Sequence, residues 1–219
     1  MTRIILVRHG QTEWNSTERF RGHADVPLDN IGLAQADATG RYVAVARLCR
    51  PAAVYAGPLS RTIKTADAIA RQFNLLVEIE PGLIDVDCGQ WQGLTPDEVR
   101  QRWPKEFDQW LNLPEKFSFP GGESLEEARL RAMQAINALL TRHPDQSIAL
   151  VSHTALNRLI LLAALGLGND HFWNLRQDTC AVNILETQPE GFIVVSLNNT
   201  APLLLGMLDK GVEDKAETV

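Results

Sequence analysis

Short apolar runs alternate along this chain with longer segments in which apolar residues recur at helical spacing. Residues 3–7 and 148–151 are almost wholly apolar and lack period-2 alternation, which is typical of strands buried on both faces of a parallel sheet. Residues 53–56 and 75–79 are two further strand-like runs. This order of strands and helices predicts an α/β fold with a mostly parallel central sheet.

Helical periodicity fills the intervals between these runs. Ser124 and Glu127 match a capping box at the start of one helix. Gly166 and Gly168 follow another helix and predict its end. The predicted helices cover residues 31–48, 59–73, 124–142 and 155–165.

Two segments depart from this alternation. Residues 95–120 combine several aromatic rings with prolines, which predicts short helices that form a small lid insertion. Residues 181–186 and 192–197 flank a Pro-Glu-Gly sequence, which is the pattern of a late β-hairpin.

The composition suits one acidic domain. The chain has 219 residues, 45% of them hydrophobic, so we expect a single domain over 1–219 whose charged tail, 211–219, is disordered. The formal charge of −6 comes from 27 acidic and 21 basic residues. No basic face for nucleic acid is therefore predicted, and a phosphate site would be a local positive spot in an acidic protein.

The sequence predicts neither a membrane-spanning segment nor a paired-cysteine motif. No apolar run approaches the roughly 20 residues that cross a bilayer, and Arg8 and His9 come too early for a signal-peptide core. We therefore expect a cytoplasmic protein without a membrane partner. Cys49, Cys88 and Cys180 are odd in number and form no CxxC pair, so we interpret them as buried or incidental thiols.

Basic side chains follow the predicted strands. Arg8 and His9 follow the first strand, Arg61 lies just beyond the second, and His153 follows the strand at 148–151. Because the carboxyl ends of parallel strands meet at one edge, these side chains are expected to lie together. A guanidinium holds two phosphoryl oxygens, and a neutral imidazole is a nucleophile near pH 7. Each residue alone also fits a surface or packing role, but the four together predict a pocket for a dianion.

A metal centre is the competing interpretation of the same residues. His9, His153 and Asp85 carry ligand atoms, but none is paired at the i,i+4 spacing typical of zinc sites. Two arginines beside them would also repel a divalent cation, so no metal is expected. The other three histidines are expected at the surface: His23, His143 and His171.

Six motifs then follow one another in unbroken order between residues 3 and 200. They cover residues 6–15, 22–32, 58–66, 83–93, 121–124 and 151–154. In this order they resemble the phosphoglycerate mutase-like branch of the histidine phosphatase superfamily. The resemblance implies a three-layer α/β/α fold, a small-molecule phosphate ester as substrate, no metal or organic cofactor, and a monomer or homodimer.

The resemblance also implies roles for individual residues. His9 is implied as the nucleophile that forms a phosphohistidine. The phosphoryl group is implied to be held by Arg8, Arg61 and His153, with Asn15 assisting. Gly22 and Thr154 are implied as further phosphate-binding positions.

The proton donor is where the chain departs from the family pattern. An alkoxide is a poor leaving group, so a carboxylic acid with a raised pKa must protonate it. The family's glutamate corresponds to Asp85, counted back from Gly89. Aspartate is shorter by roughly 1.5 Å, one C–C bond. Asp87 and Glu13 are the alternative acids.

Two further departures concern the substrate. Arg21 stands where related loops often carry glutamine, so it either faces the pocket mouth and attracts an anionic leaving group or is a solvated loop arginine. Residues 103–124 and 197–200 resemble bacterial metal-independent phosphoserine and α-ribazole phosphatases, although Cys88 replaces a histidine found in some of them.

These observations predict a metal-independent phosphatase of small organic phosphomonoesters, with phosphoserine or a similar carboxylate-bearing phosphate as candidate substrate. Hydrolysis is favoured over isomerisation because the chain lacks the long insertions of the glycolytic mutases. Two alternatives remain: phosphoglycerate mutase-type phosphoryl transfer, and a weakly active or non-catalytic protein that binds a phospholigand.

Overall fold

A computed structural model describes residues 1–45 and 50–203 of the chain. Its strands are β1 (Arg3–Arg8), β2 (Ala53–Ala56), β3 (Val77–Ile79), β4 (Ser147–Ser152), β5 (Val182–Gln188) and β6 (Gly191–Asn199). Its α-helices are α1 (Glu13–Ser16), α2 (Asn30–Val45), α3 (Ser60–Ala70), α4 (Pro96–Arg102), α5 (Pro104–Asn112), α6 (Leu125–Arg142) and α7 (Thr154–Ala164). Short 3₁₀ helices include Arg71–Phe73, Pro81–Leu83, Gly89–Trp91, Pro114–Lys116 and Asn169–Asn174.

The strands form one six-stranded sheet in the order β3-β2-β4-β1-β5-β6. β1 to β4 run parallel, and β5 and β6 form the antiparallel hairpin that the Pro-Glu-Gly sequence predicts. Arg8 lies opposite Ser152 in the parallel register. His9 and His153 are therefore each the first residue beyond neighbouring strands, and the parallel core of the sheet confirms the predicted fold class.

Helices cover both faces of the sheet. Ile4 and Leu6 of β1 pack on the side of α6 and α7, whereas Ile5 and Val7 pack on the side of α2 and α3. All four side chains are fully buried. Burial on both faces explains why the strand sequences show no alternation of polar and apolar positions, and it gives the three layers α/β/α.

Most predicted elements coincide with observed ones. The third strand is shorter than predicted and begins at Val77, because Leu76 is 89% exposed outside the sheet. The predicted end of α2 near residue 48, together with Cys49, and the tail at 211–219 lie outside the described residues. Cys88 and Cys180 are buried free thiols, as expected.

The segment 95–120 contains the short helices α4 and α5, as the prolines predict. Its role as a lid stays a prediction. The expectation that His143 lies at the surface is wrong, because its ring is half-buried and its Nε2 lies 2.8 Å from the Tyr55 hydroxyl. In the described part of the chain, no helix has both the length and the apolar character needed to cross a membrane.

Candidate active site

Two buried histidines lie at the centre of the site. The rings of His9 and His153 are fully buried and lie edge to face, with centroids 5.2 Å apart. Nδ1 of His9 is 2.6 Å from the carbonyl oxygen of Gly10, so this nitrogen carries the proton and donates it. Nε2 of His9 then holds a lone pair, and it has no hydrogen-bond partner among the described residues.

His153 has the opposite tautomer. Its Nδ1 accepts a hydrogen bond from Nε of Arg61 at 3.3 Å, which leaves the proton on Nε2. That Nε2 is buried and has no partner in the described structure. Burial, reinforced by the charge of Arg61, holds the pKa of both histidines well below the usual value, so both are neutral at pH 7. One ring offers a lone pair and the other an N–H.

Arg8 contributes a charge at the end of β1. Its Nη1 donates to the carbonyl of Gln177 at 2.7 Å, while its Nε is buried without a partner in the described residues. Burial and the nearby Arg21 lower the pKa of Arg8 to about 9, so the guanidinium remains charged at pH 7. Arg8 therefore retains N–H donors for an anion.

Arg61 is fully buried in the first turn of α3. Its two terminal nitrogens donate to the carbonyls of Ala24 at 2.7 Å and Gly22 at 3.0 Å, and its Nε donates to His153. Three of the five guanidinium N–H groups are thus used, which leaves two for a ligand. Gly22 reaches this contact with φ +49°, and a Cβ there would lie 2.9 Å from the amide nitrogen of Cys88. We call Arg8, His9, Arg61 and His153 the phosphate cradle.

The carboxylate of Asp85 lies beside the cradle. Its Oδ2 lies 3.6 Å from Nη2 of Arg61 and 3.6 Å from Nδ1 of His153. Burial raises the pKa of this carboxyl, although the charges of Arg61 and Arg21 oppose the rise. The loop thus brings the shorter aspartate side chain to the cradle, in the environment that a proton donor needs.

The other two candidate acids lie elsewhere. The carboxylate of Asp87 accepts a hydrogen bond from the amide of Gly89 at 2.9 Å. Glu13 is exposed at the start of α1. Of the three carboxylates that the sequence offers, only Asp85 contacts the cradle.

Residues 82–87, which we call the acid loop, are held by side chains from other elements. Arg131 of α6 donates to the carbonyls of Gly82 at 2.9 Å, Ile84 at 3.1 Å and Asp85 at 3.3 Å. The same guanidinium forms a two-point ion pair with Glu123, at 3.0 and 2.9 Å. The acid loop is thereby fixed to α6 at three carbonyls.

Two of these neighbours were not identified from the sequence. Arg131 has the sequence context of an ordinary charge on a helix surface, and no local signal marks it. His23 was expected at the surface, but its ring is half-buried and its Nε2 lies 2.9 Å from the carbonyl oxygen of Asp85. That expectation is wrong because the 22–24 segment folds back over Arg61 and the acid loop.

A cavity of about 580 Å³ opens beside the cradle. Thr154 has a buried hydroxyl that lacks a partner in the described residues, and Asn15 uses its Oδ1 to accept hydrogen bonds from Thr12, so its amide nitrogen is left for a ligand. His9, Arg61 and His153 are fully buried and are not among the residues that line the cavity. The predicted site residues that line it are Arg8, Asn15, Arg21, Gly22, Asp85 and Thr154.

Arg21 lies inside this cavity wall and is half-buried. Its Nη1 lies 3.3 Å from the carbonyl of Trp14, and its Nε is shielded from solvent without an acceptor in the described structure. Its charge is close enough to lower the pKa of His9 and to oppose the raised pKa of Asp85. Arg21 thus lies at the pocket, and its attraction of an anionic leaving group stays a prediction.

Within residues 1–45 and 50–203, no group of three or more His, Cys, Asp or Glu side chains is arranged to hold a metal ion. The site instead combines an imidazole lone pair, an imidazole N–H, two guanidinium groups and a buried carboxyl. These groups suit an enzyme that transfers phosphoryl groups through a histidine.

Comparisons with known proteins identify the same class. The model of the histidine phosphatase superfamily (branch 1) matches residues 4–200, and the chain belongs to this superfamily. It is 33% identical over 203 residues to phosphoserine phosphatase 1 of Hydrogenobacter thermophilus, covering 93% of this chain and 95% of that protein. It is 28% identical to the metal-independent phosphoserine phosphatase of Arabidopsis thaliana, covering 99% of this chain and 90% of the relative. The structure of Bacillus stearothermophilus YhfR superposes with a TM-score of 0.83 at 27% identity, covering 89% of this chain and 96% of that one.

Proposed function

We propose that this protein hydrolyses small organic phosphomonoesters without a metal, through a phosphohistidine on His9. The tautomer of His9 carries this proposal. Because Nδ1–H donates to the Gly10 carbonyl, the lone pair is on Nε2, which is buried without a partner in the described residues. The low pKa keeps that lone pair available at pH 7.

In the first step, Nε2 of His9 attacks phosphorus and the ester P–O bond breaks. The equatorial oxygens of the transition state are met by Arg8, the two free N–H groups of Arg61 and Nε2–H of His153. Asp85, whose pKa is raised by burial, gives its proton to the departing alkoxide. The hydrogen bond to Gly10 strengthens as the imidazole becomes positive.

In the second step, the Asp85 carboxylate accepts a proton from water as the water oxygen attacks phosphorus. The P–N bond breaks, inorganic phosphate leaves, and His9 returns to its neutral form. The acid of the first step is thus the base of the second, and the enzyme is unchanged after one turnover. No metal takes part in either step.

For the substrate, we propose phosphoserine or a similar phosphate ester with a carboxylate. Two relatives are named phosphoserine phosphatases, and the half-buried Arg21 adds a positive charge to the cavity beside the cradle. An anionic leaving group would be attracted to that charge.

The test is to trap the phosphoenzyme. With ³²P-labelled phosphoserine and EDTA present, we expect label bound to the protein that is lost in acid but stable in base, followed by release of inorganic phosphate. His9→Gln should carry no label, whereas His171→Gln, a substitution at a half-exposed histidine in the 3₁₀ helix Asn169–Asn174, should label normally. With a phosphoglycerate, which has a second hydroxyl, conversion to the isomer in place of phosphate release would indicate a mutase. Absence of label and of turnover with every ester tried would contradict the proposal.

A further inference from the structure

Five arginines line the cavity, and four of them already have acceptors. Arg8 and Arg21 donate to backbone carbonyls, Arg19 donates to the carbonyl of Gly93 at 2.7 Å, and Arg176 is paired with Asp178 at 2.9 Å. Arg158 differs from these four. Within the described residues, no carboxylate or carbonyl accepts a hydrogen bond from it, and its Nε is shielded from solvent without a partner.

Aromatic rings hold the Arg158 guanidinium in place. Its central carbon lies 5.1 Å from the ring centroid of Phe172 and 5.1 Å from that of Trp173. Trp173 is in turn fixed by a hydrogen bond from its indole nitrogen to the carbonyl of Trp110 at 3.1 Å. Cation–π contacts with ring faces use no N–H donor, so the donors of Arg158 remain free for a planar acceptor.

This free charge belongs to the same cavity as the cradle. Arg158 lies four residues after Thr154 on α7, so the two share one helix face with their Cα atoms about 6 Å apart along the axis. Thr154 directly follows His153. Arg158 is thus about one helical turn from the residue that follows the cradle histidine, and both Thr154 and Arg158 line the cavity.

The surroundings favour an anion over water as the partner. Burial lowers the pKa of Arg158, and no neighbouring carboxylate offsets this cost. The cavity wall beside it is apolar and aromatic, with side chains such as Phe107, Trp110 and Phe172. A charge in such a wall gains more from an ion pair than a fully hydrated charge does.

We propose that Arg158 binds a carboxylate on the leaving group of the substrate, and that the aromatic wall contacts the apolar carbons between this carboxylate and the phosphate. Arg158 is then the residue that selects a carboxylate-bearing phosphomonoester. The inference rests on the proposed phosphatase function and identifies the residue that recognises the leaving group.

The experiment compares matched esters. The probes are ω-carboxyalkyl phosphates with two to six carbons between the ester oxygen and the carboxylate, each paired with its neutral primary amide. For each chain length, we divide the kcat/KM of the acid by that of its amide. For the wild type, this ratio should be highest at one chain length and should reach roughly 10 to 100 there, which corresponds to the free energy of a charge-assisted hydrogen bond. Arg158→Met should remove most of this ratio and leave the smaller part due to the charge of Arg21, and Arg158→Lys should retain more of it than Arg158→Met. Because the ratio is taken within one protein, partial unfolding of a variant cancels.

Arg176→Met is the matched control, since Arg176 lines the same cavity but is paired with Asp178 and its side chain is 80% exposed. It should leave the ratio and the optimal chain length unchanged. A wild-type ratio near one at every length would overturn the inference, as would a ratio that survives Arg158→Met. Both outcomes leave the phosphatase proposal intact, whereas no phosphate release from any ester, p-nitrophenyl phosphate included, would mean that the phosphatase proposal itself fails.

Discussion

The phosphate cradle and the acid loop are positioned in different ways. His9 and His153 directly follow β1 and β4, and the amide of His9 donates to the carbonyl of Ser152 at 3.0 Å, so the sheet itself fixes their separation. The acid loop contains no strand. Three of its carbonyls accept hydrogen bonds from Arg131 of α6, and the carbonyl of Leu83 accepts one from Ser152 of β4 at 3.0 Å.

This difference separates two kinds of chemistry. The cradle contacts the phosphoryl group, which is common to every substrate. Asp85 serves the leaving group, which differs between substrates. Damage to the cradle should therefore reduce turnover of all esters alike, whereas damage to the acid loop should affect mainly esters whose leaving group needs a proton.

The largest effect is expected from the cradle. Arg8→Met removes a charge that meets the phosphoryl oxygens, so kcat/KM should fall roughly 10³-fold for alkyl and aryl phosphates alike. Steady-state phosphate release with both ester types measures this. Arg71→Met, which breaks an exposed ion pair with Asp37, is the control and should have no effect. Selective loss with alkyl esters would show that Arg8 acts on the leaving group instead.

A smaller and selective effect is expected from the acid loop. Arg131→Met removes the donor to the carbonyls of Gly82 and Ile84 and leaves that of Asp85 with His23 alone. A resulting displacement of Asp85 by about 1 Å should lower kcat/KM for alkyl phosphates 10- to 100-fold. Aryl phosphates should change by less than about threefold, because their leaving group needs little protonation. Arg142→Met, at the other end of α6, is the matched control. Equal losses with both ester types would mean that Arg131 only supports the fold.

The smallest effect concerns how the free energy of unfolding changes with pH. The pKa of His9 is lowered in the folded state. When the pH falls below about 6.5, the pKa of histidine in an unfolded chain, the imidazole of His9 is protonated in the unfolded protein but not in the folded one. Stability should therefore fall as pH decreases, by about 1.4 kcal/mol per pH unit for this histidine. The raised pKa of Asp85 has the opposite effect on stability. That effect is the same in the wild type and in a His9→Gln variant, so it cancels when the two are compared.

Urea unfolding of the wild type and His9→Gln at pH 7, 6 and 5 measures this slope. The variant should lose stability less steeply toward low pH than the wild type does. Parallel slopes would show that folding does not lower the pKa of His9, contrary to what its buried ring predicts.

The sequence predicts the cradle better than the surroundings of the acid. Residues at strand ends can be placed from the sequence because parallel strands bring them to one edge, and this argument brought together Arg8, His9, Arg61 and His153. Asp85 was located by the register of the acid loop relative to Gly89. The structure adds its distance of 3.6 Å to Arg61 and His153.

Arg131, His23 and Arg158 could not be placed in the same way. Each depends on how a helix or loop packs against a distant segment, and neither periodicity nor a motif records that packing. Arg158 illustrates this limit. On the sequence it is a polar position in an apolar helix, and its significance appears only when Phe172 and Trp173 close against it.

The division between cradle and acid loop is tested most directly by Asp85→Asn. The quantity to measure is kcat/KM for an alkyl and an aryl phosphate, because this parameter reports the steps up to formation of the phosphoenzyme and excludes its later hydrolysis. We expect the alkyl ester to lose roughly 10²- to 10⁴-fold and the aryl ester less than about tenfold. Unchanged turnover of the alkyl ester, or equal losses with both esters, would contradict the assignment of Asp85 as the proton donor.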